Sequence, residues 1–250
     1  SMRAHEDITL AVAFSPDGAL LATAGYDGYF RIWEVATGEM IRSVRIEKDQ
    51  NKIDSPYSIA FTPNGTYVVT GSLGGRLTMW EIDSGEEYIS FVGHTQVVPA
   101  IVFTPDNKYM VTASWDNSVK MWDYRTGFLE KKFTEHNEPV NDVFITPDGT
   151  RMVTSSTDRT AVLWDLVVGD KIHVFEDHKS AVTVSRITAD GKYILTGTID
   201  DVVKIWDLKE NRELLTQYFV GENEYMIKNP SGYFYATELS RNHVHFVRGV

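Results

Sequence analysis

The chain has 250 residues, 42% of them hydrophobic, enough to bury most of its unfolded surface in a core. It carries 35 acidic against 24 basic residues, and no basic run is longer than Lys131-Lys132; that balance speaks against nucleic acid and against an anionic membrane surface as partners. The absence of cysteine rules out disulfides and thiolate metal sites and fits a cytoplasmic protein, and no apolar run nears the roughly 20 residues of a membrane span.

In chain order, a β-rich run "AVAF" (11–14) is followed by the turn "SPDG" (15–18), a second run "LLAT" (20–23), the segment "RIWEV" (31–35) and a second turn "ATGE" (36–39). The polar stretch "RIEKDQNKIDSP" (45–56) leads into a second unit with "TPNG" (62–65), "TMWEI" (78–82) and "DSGE" (83–86). The third unit runs "IVF", "TPDN" (104–107), "YMVT", "KMWDY" (120–124) and "RTGF" (125–128). The fourth runs "VFI", "TPDG" (146–149), "RMVT", "VLWDL" (162–166) and "VVGD" (167–170). The fifth has "TADG" (188–191), "KIWDL" (204–208) and a weaker turn "KENR" (209–212). A degenerate sixth unit, "NPSGYFYATELSRNHVHFV" (229–247), has Val247 where the others have Trp.

Successive Trp residues, at 33, 80, 122, 164 and 206, are 47, 42, 42 and 42 apart. A fixed period of this length marks a repeat architecture. Gly or Asn at the fourth turn position suits a type I turn closed by a left-handed residue. Apolar residues on both sides of the runs suit strands buried on both faces. Each unit therefore reads as a small antiparallel meander of about four strands.

A four-residue set recurs at constant spacing. It comprises His5, Thr23, Asp27 and Trp33; His94, Thr112, Asp116 and Trp122; His136, Thr154, Asp158 and Trp164; and His178, Thr196, Asp200 and Trp206. The sequence resembles the WD40 repeat family over nearly its whole length. That resemblance implies an all-β propeller of about six four-stranded blades, the last degenerate and three-stranded, in a single domain over 1–250. It also implies that each set is a buried hydrogen-bond network and not a catalytic triad, since a triad occurs once and not four times. Blade two keeps Thr70 and Trp80 but has Gly74 for Asp and no His at the matching place. Only four residues precede His5, so the N-terminal strand that closes such rings is expected to be missing. The ending "YFYATELSRNHVHFVRG" is similar to the tail of bacterial WD40 regions that precede caspase-like peptidase domains.

In WD40 propellers the residue before the turn Asp, and those three and five after the network His, point onto the top face. By resemblance these are Tyr26, Leu73, Trp115, Thr157 and Ile199, together with Ile8 and Leu10, Val97 and Pro99, Pro139 and Asn141, and Ala181 and Thr183. Ser55 and Tyr57 stand there in blade two. Trp115 is the one Trp outside the repeat series and is expected to be largely exposed, while Trp122 is buried. The apolar choices suggest a protein-docking surface of Trp115, Tyr26, Leu73, Ile199, Tyr57, Ile8, Leu10, Val97 and Pro99, since exposed apolar patches mark partner sites and Trp and Tyr are enriched at hot spots.

The expected function is a non-catalytic scaffold that needs no cofactor and binds a protein or peptide, as a monomer or as part of a longer chain. The alternatives are a regulatory propeller ahead of a peptidase-type domain and a propeller enzyme, which needs carboxylates, His or a metal converging on the central channel. "HVH" (243–245) has a spacing that metals accept, but no third ligand is identifiable in the sequence.

Overall fold

The computed structural model describes residues 4–48, 52–221 and 224–237. All regular structure among the described residues is β. Blade one consists of strands Thr9–Phe14, Leu20–Gly25, Tyr29–Glu34 and Met40–Arg45, paired in that order. Blade two consists of Pro56–Phe61, Tyr67–Ser72, Leu77–Glu81 and Glu87–Phe91. Blade three follows with Ala100–Phe103, Tyr109–Ala113, Val119–Asp123 and Leu129–Phe133, and blade four with Val140–Ile145, Arg151–Ser156, Ala161–Asp165 and Lys171–Phe175. Blade five begins alike, with Val182–Ile187, Tyr193–Thr198, Val202–Asp207 and Arg212–Gly221.

The expected sixth blade is not found among the described residues. Strands Glu224–Lys228 and Phe234–Ala236 instead continue blade five into a six-stranded sheet. The cause lies in Arg212–Gly221, which has 10 residues against 5 in Lys171–Phe175. Its free edge accepts the next strand, from Thr216↔Lys228 to Gly221↔Glu224. The "NPSG" turn does form, closed by Gly232 at φ 88°. The third run of the sixth unit, with His243, His245 and Val247, lies outside the described residues. The polar stretch 45–56 contains a two-residue ribbon, Glu47–Lys48 paired with Lys52–Ile53.

The turns form for local reasons. In each "S/T-x-D/N" turn the first hydroxyl donates to the side chain two residues on, as in Ser15 to Asp17 and Thr104 to Asp106, both at 2.6 Å. The fourth residue closes the turn with positive φ: Gly18, Gly65, Asn107, Gly149 and Gly191. Asn211, at φ 50°, supplies the left-handed residue in the weak "KENR" turn, where the other blades use Gly.

Apolar residues meet between blades. Separate core clusters join blades one and two, two and three, three and four, and four and five. At each joint an aromatic ring of one blade packs on the repeat Trp of the next. The pairs are Phe30–Trp80, Phe91–Trp122, Phe133–Trp164 and Phe175–Trp206, with centroids 5.0–5.7 Å apart. A sheet that cannot cover both its faces is thus covered by its neighbour.

One turn glycine is irreplaceable. Gly75 has φ +84°, and a Cβ there would lie 2.8 Å from the backbone nitrogen of Gln96. Gly18 has φ +72° with nothing within 4 Å. Gly75→Ala should therefore cost about 3 kcal/mol, combining backbone strain with displacement of a neighbouring loop, whereas Gly18→Ala costs about 1 kcal/mol. Equal chemical-denaturation midpoints for the two variants would refute this ranking.

Candidate functional site

The four-residue sets hold the ends of the strands. In blade four, Trp164 Nε1 donates to Thr154 Oγ1 at 3.0 Å, and Thr154 Oγ1 lies 2.8 Å from His136 Nε2. His136 Nδ1 lies 2.8 Å from Asp158 Oδ2. Asp158 can only accept, so Nδ1 carries the ring proton and Nε2 accepts from the threonine hydroxyl. The result is a one-way relay from indole to hydroxyl to imidazole to carboxylate. Blade three repeats it through Trp122, Thr112, His94 and Asp116, and blade one through Trp33, Thr23, His5 and Asp27, with links of 2.8–3.0 Å. The carboxylate also accepts from the backbone N–H after the histidine, at Glu6, Thr95 and Asn137. Each set thereby ties one turn to one loop.

Electrostatics follow from this geometry. Burial opposes ionisation of Asp158, but the hydrogen bonds from His136, Thr160 and the Asn137 backbone outweigh it and hold its pKa at about 2. Asp116 lies lower still: burial is outweighed by bonds from His94 and Ser118 and by the charge of Lys120, whose Nζ is 3.1 Å away.

Blade five departs from the expected set. His178 and Trp206 both bond Thr196, but His178 Nδ1 donates to the Arg159 carbonyl of blade four and not to Asp200. Asp200 is exposed and takes the Thr198 hydroxyl instead. The counterparts of Thr198, Ser114 and Ser156, donate to the loop carbonyls of Gln96 and Glu138 and leave their Asp free. Lys204, the counterpart of Lys120, has turned away to Glu213.

Blade two has a substitute that sequence reading missed. Asp54 is buried, accepts from Ser72 Oγ at 2.7 Å and from the Gly74 N–H at 2.8 Å. The carboxylate comes from the loop rather than from the turn, so the tie survives with its partners exchanged. The available signal was the pairing of Gly74 in the turn with Asp54 in the insertion. Asp54→Ala should cost about 2 kcal/mol, because it strands two donors; a loss below about 0.5 kcal/mol in a thermal melt would show that the tie is dispensable.

These ties gather the candidate docking residues at one end of the blades. Each residue before the turn Asp donates its backbone N–H to the loop residue three after the His, or to its counterpart: Tyr26 to Ile8, Leu73 to Ser55, Trp115 to Val97, Thr157 to Pro139 and Ile199 to Ala181, at 2.9–3.0 Å. Ser55 Oγ donates to the Tyr26 carbonyl and links blades one and two. Ile199 is 70% exposed, Ile8 66% and Tyr26 50%. Leu10, Tyr57, Leu73 and Pro99 are half-buried.

Two expectations are corrected. Val97 is buried, and its carbonyl accepts from the Trp115 backbone N–H at the turn. Trp115 is half-buried and not largely exposed. Its ring stands edge-on to Tyr57, with centroids 5.7 Å apart, and its buried Nε1 has no hydrogen-bond partner. The two rings come from neighbouring blades, and their mutual covering accounts for the lost exposure. Trp122, seven residues on, is buried in the core.

Among the described residues, no group of three or more His, Cys, Asp or Glu side chains is placed to hold a metal ion. Asp142, on the first strand of blade four, is pushed up by burial, which its ion pair with Arg186 opposes.

Comparison with known proteins follows the same repeats. The family model described as WD domain, G-beta repeat, matches residues 1–34, 48–81, 85–123, 127–165 and 169–207. The chain belongs to the WD40 family. WD40 domains are in general non-enzymatic scaffolds that mediate protein interactions. The chain is also 44% identical over 48 residues to the ribosome biogenesis protein ERB1 of Chaetomium thermophilum, and 40% identical over 48 residues to that of Chaetomium globosum. Each match covers 19% of this chain and 6% of the relative, so the chain spans a small part of the proteins it resembles.

Proposed function

We propose that the chain is a non-catalytic scaffold that docks a protein or peptide on the end of the blades where the turn residues meet. One observation carries this reading: Ile8, Tyr26 and Ile199 stand exposed at these turns, and the Tyr57–Trp115 pair stands at the corresponding turns of blades two and three. Exposed apolar residues gathered at fixed turns mark a partner surface, and tethered turns keep the entropy cost of docking low. The partner approaches with an apolar segment. The span 1–250 works as one domain in the cytoplasm. A net charge of −11 disfavours a direct RNA contact, so the likeness to a ribosome biogenesis protein is read as a likeness of repeats.

The test is affinity capture with wild-type chain and with Tyr26→Ser/Ile199→Ser. Because both residues are exposed, the double variant should keep its stability within about 0.5 kcal/mol while binding weakens by about 2 kcal/mol. Trp115→Ala should instead cost about 2 kcal/mol of stability, since the half-buried ring packs on Tyr57. Unchanged capture by the double variant would move the binding surface elsewhere.

A further inference from the structure

The candidate docking turns occupy one end of the blades. The turns 104–107 and 146–149 lie at the other end, because successive turns of an antiparallel meander alternate ends. Between blades three and four this second end holds a groove of about 500 Å³. Its lining includes the half-buried Tyr109 and the buried Met121 of blade three, and the buried Leu166 of blade four. Val167, beside Leu166 on the lining, is 75% exposed.

Blade two shows how the same place is filled from within. Tyr67 and Tyr109 take the same register, opposite Glu81 and Asp123. Tyr88 and Glu130 are likewise equivalent, each the extra residue where the third and fourth strands shift register. In blade two the Tyr88 ring covers Tyr67, with centroids 4.6 Å apart. In blade three Glu130 stands at the position of that ring, and Tyr109 lines the groove. Glu130 is exposed and has no ion-pair partner among the described residues. Asp106 and Asp148 line the groove as well, so three carboxylates face one ammonium, Lys131, whose Nζ is held by the Val168 carbonyl.

We propose that this groove takes an arginine of a partner protein, presented next to an apolar residue. An aromatic ring would cover Tyr109 as Tyr88 covers Tyr67, but would leave Glu130 unpaired. An ammonium would pair with Glu130 but has no flat face to lay on the ring. A guanidinium does both. The chain makes this stack on its own tyrosines: the Arg125 guanidinium lies 4.8 Å from the Tyr124 ring centre, and that of Arg31 4.8 Å from Tyr29. The surplus of carboxylates draws the cation in, and the apolar neighbour packs on Val167. The groove is at the opposite end from Tyr26 and Ile199, so the two ends can be occupied together.

An amide NMR titration of the whole chain at physiological salt tests the assignment, with a short synthetic peptide that carries one arginine between two leucines. Shifts should gather at residues 104–109, 130–131 and 148–150 and should saturate. Citrulline in place of the arginine keeps the planar head without its charge, and lysine keeps the charge without the plane; each should weaken binding about tenfold. Glu130→Tyr rebuilds on Tyr109 the stack seen between Tyr67 and Tyr88. It should abolish the shifts and keep the wild-type melting temperature, because residue 130 is exposed. Glu130→Gln should weaken binding about tenfold and repeats this arm should Glu130→Tyr fail to fold. Tyr26→Ser/Ile199→Ser should bind the peptide like wild type, which separates this groove from the other docking end. The absence of any saturable shift would overturn the proposal. Equal binding by wild type and Glu130→Tyr would overturn it in favour of diffuse attraction to a chain of net charge −11. Shifts confined to the turns of Tyr26 and Ile199 would overturn it in favour of the other end.

Discussion

His136→Leu should lower the unfolding free energy by about 2–4 kcal/mol, as measured by urea titration. The substitution leaves the Thr154 hydroxyl without its acceptor and Asp158 without its ring donor, and both lie within a satisfied relay. An unpaired buried polar group costs about 1–3 kcal/mol each, and the loss of the ring opens a small cavity. The repeat tryptophans provide the internal control. Trp164→Phe interrupts a relay that runs on through Thr154 and His136 to Asp158. Trp80→Phe removes one bond, to Thr70 at 2.8 Å, and no histidine lies beyond it. The blade-four change should therefore cost more and should be non-additive with His136→Leu, since residues in one network couple. Equal costs for the two tryptophan changes, with additivity in blade four, would show that indole packing and not the relay sets the stability.

The parts of this molecule legible in the sequence were those fixed by local chemistry. The four-residue turns predict themselves, because a hydroxyl, a short acceptor and a left-handed fourth residue meet within a few positions. The relay of blades one, three and four is legible because its members recur at one spacing. What was not legible depended on competition between partners. Thr198 is a single methyl group away from Ser156, yet it donates to Asp200 and leaves His178 to bond a carbonyl of the neighbouring blade. Asp54 was hidden because it lies in an insertion of the preceding loop, while the carboxylate it stands in for lies in the turn of the other blades. Trp115 was misjudged because position within a turn says nothing about a ring arriving from the next blade, and Tyr57 covers it. The sixth unit carried the turn and strand signals of a blade, but two strands pair with whatever edge is free, and the long fourth strand of blade five offered one.

Between pH 7 and pH 4.5 the fold should lose about 2 kcal/mol through His178 alone. Burial pushes the pKa of this ring down to about 4, with the charge of Lys204 adding to the effect. In the unfolded chain the same group titrates near 6.5. Between those values the unfolded state holds a proton that the folded state refuses, so acidification drives unfolding. The contribution is complete above pH 6.5, declines as pH falls, and is exhausted near pH 4. The hydrogen bonds dictate this sign: Nδ1 donates to the Arg159 carbonyl, and Nε2 must stay bare to accept from Thr196. Protonating Nε2 would set two donors against each other inside the core. The carboxylates act in a separate window, because Asp158 keeps its charge down to about pH 2 and its contribution fades only below the usual value near 3.8. His178→Gln, which offers an amide at the same place and cannot titrate, should be less stable than wild type at pH 7, with a flatter stability profile between pH 6.5 and 4. If the variant and the wild type lose stability in parallel across that window, the proton is taken up elsewhere; His94, also pushed down by burial, is then the next ring to replace.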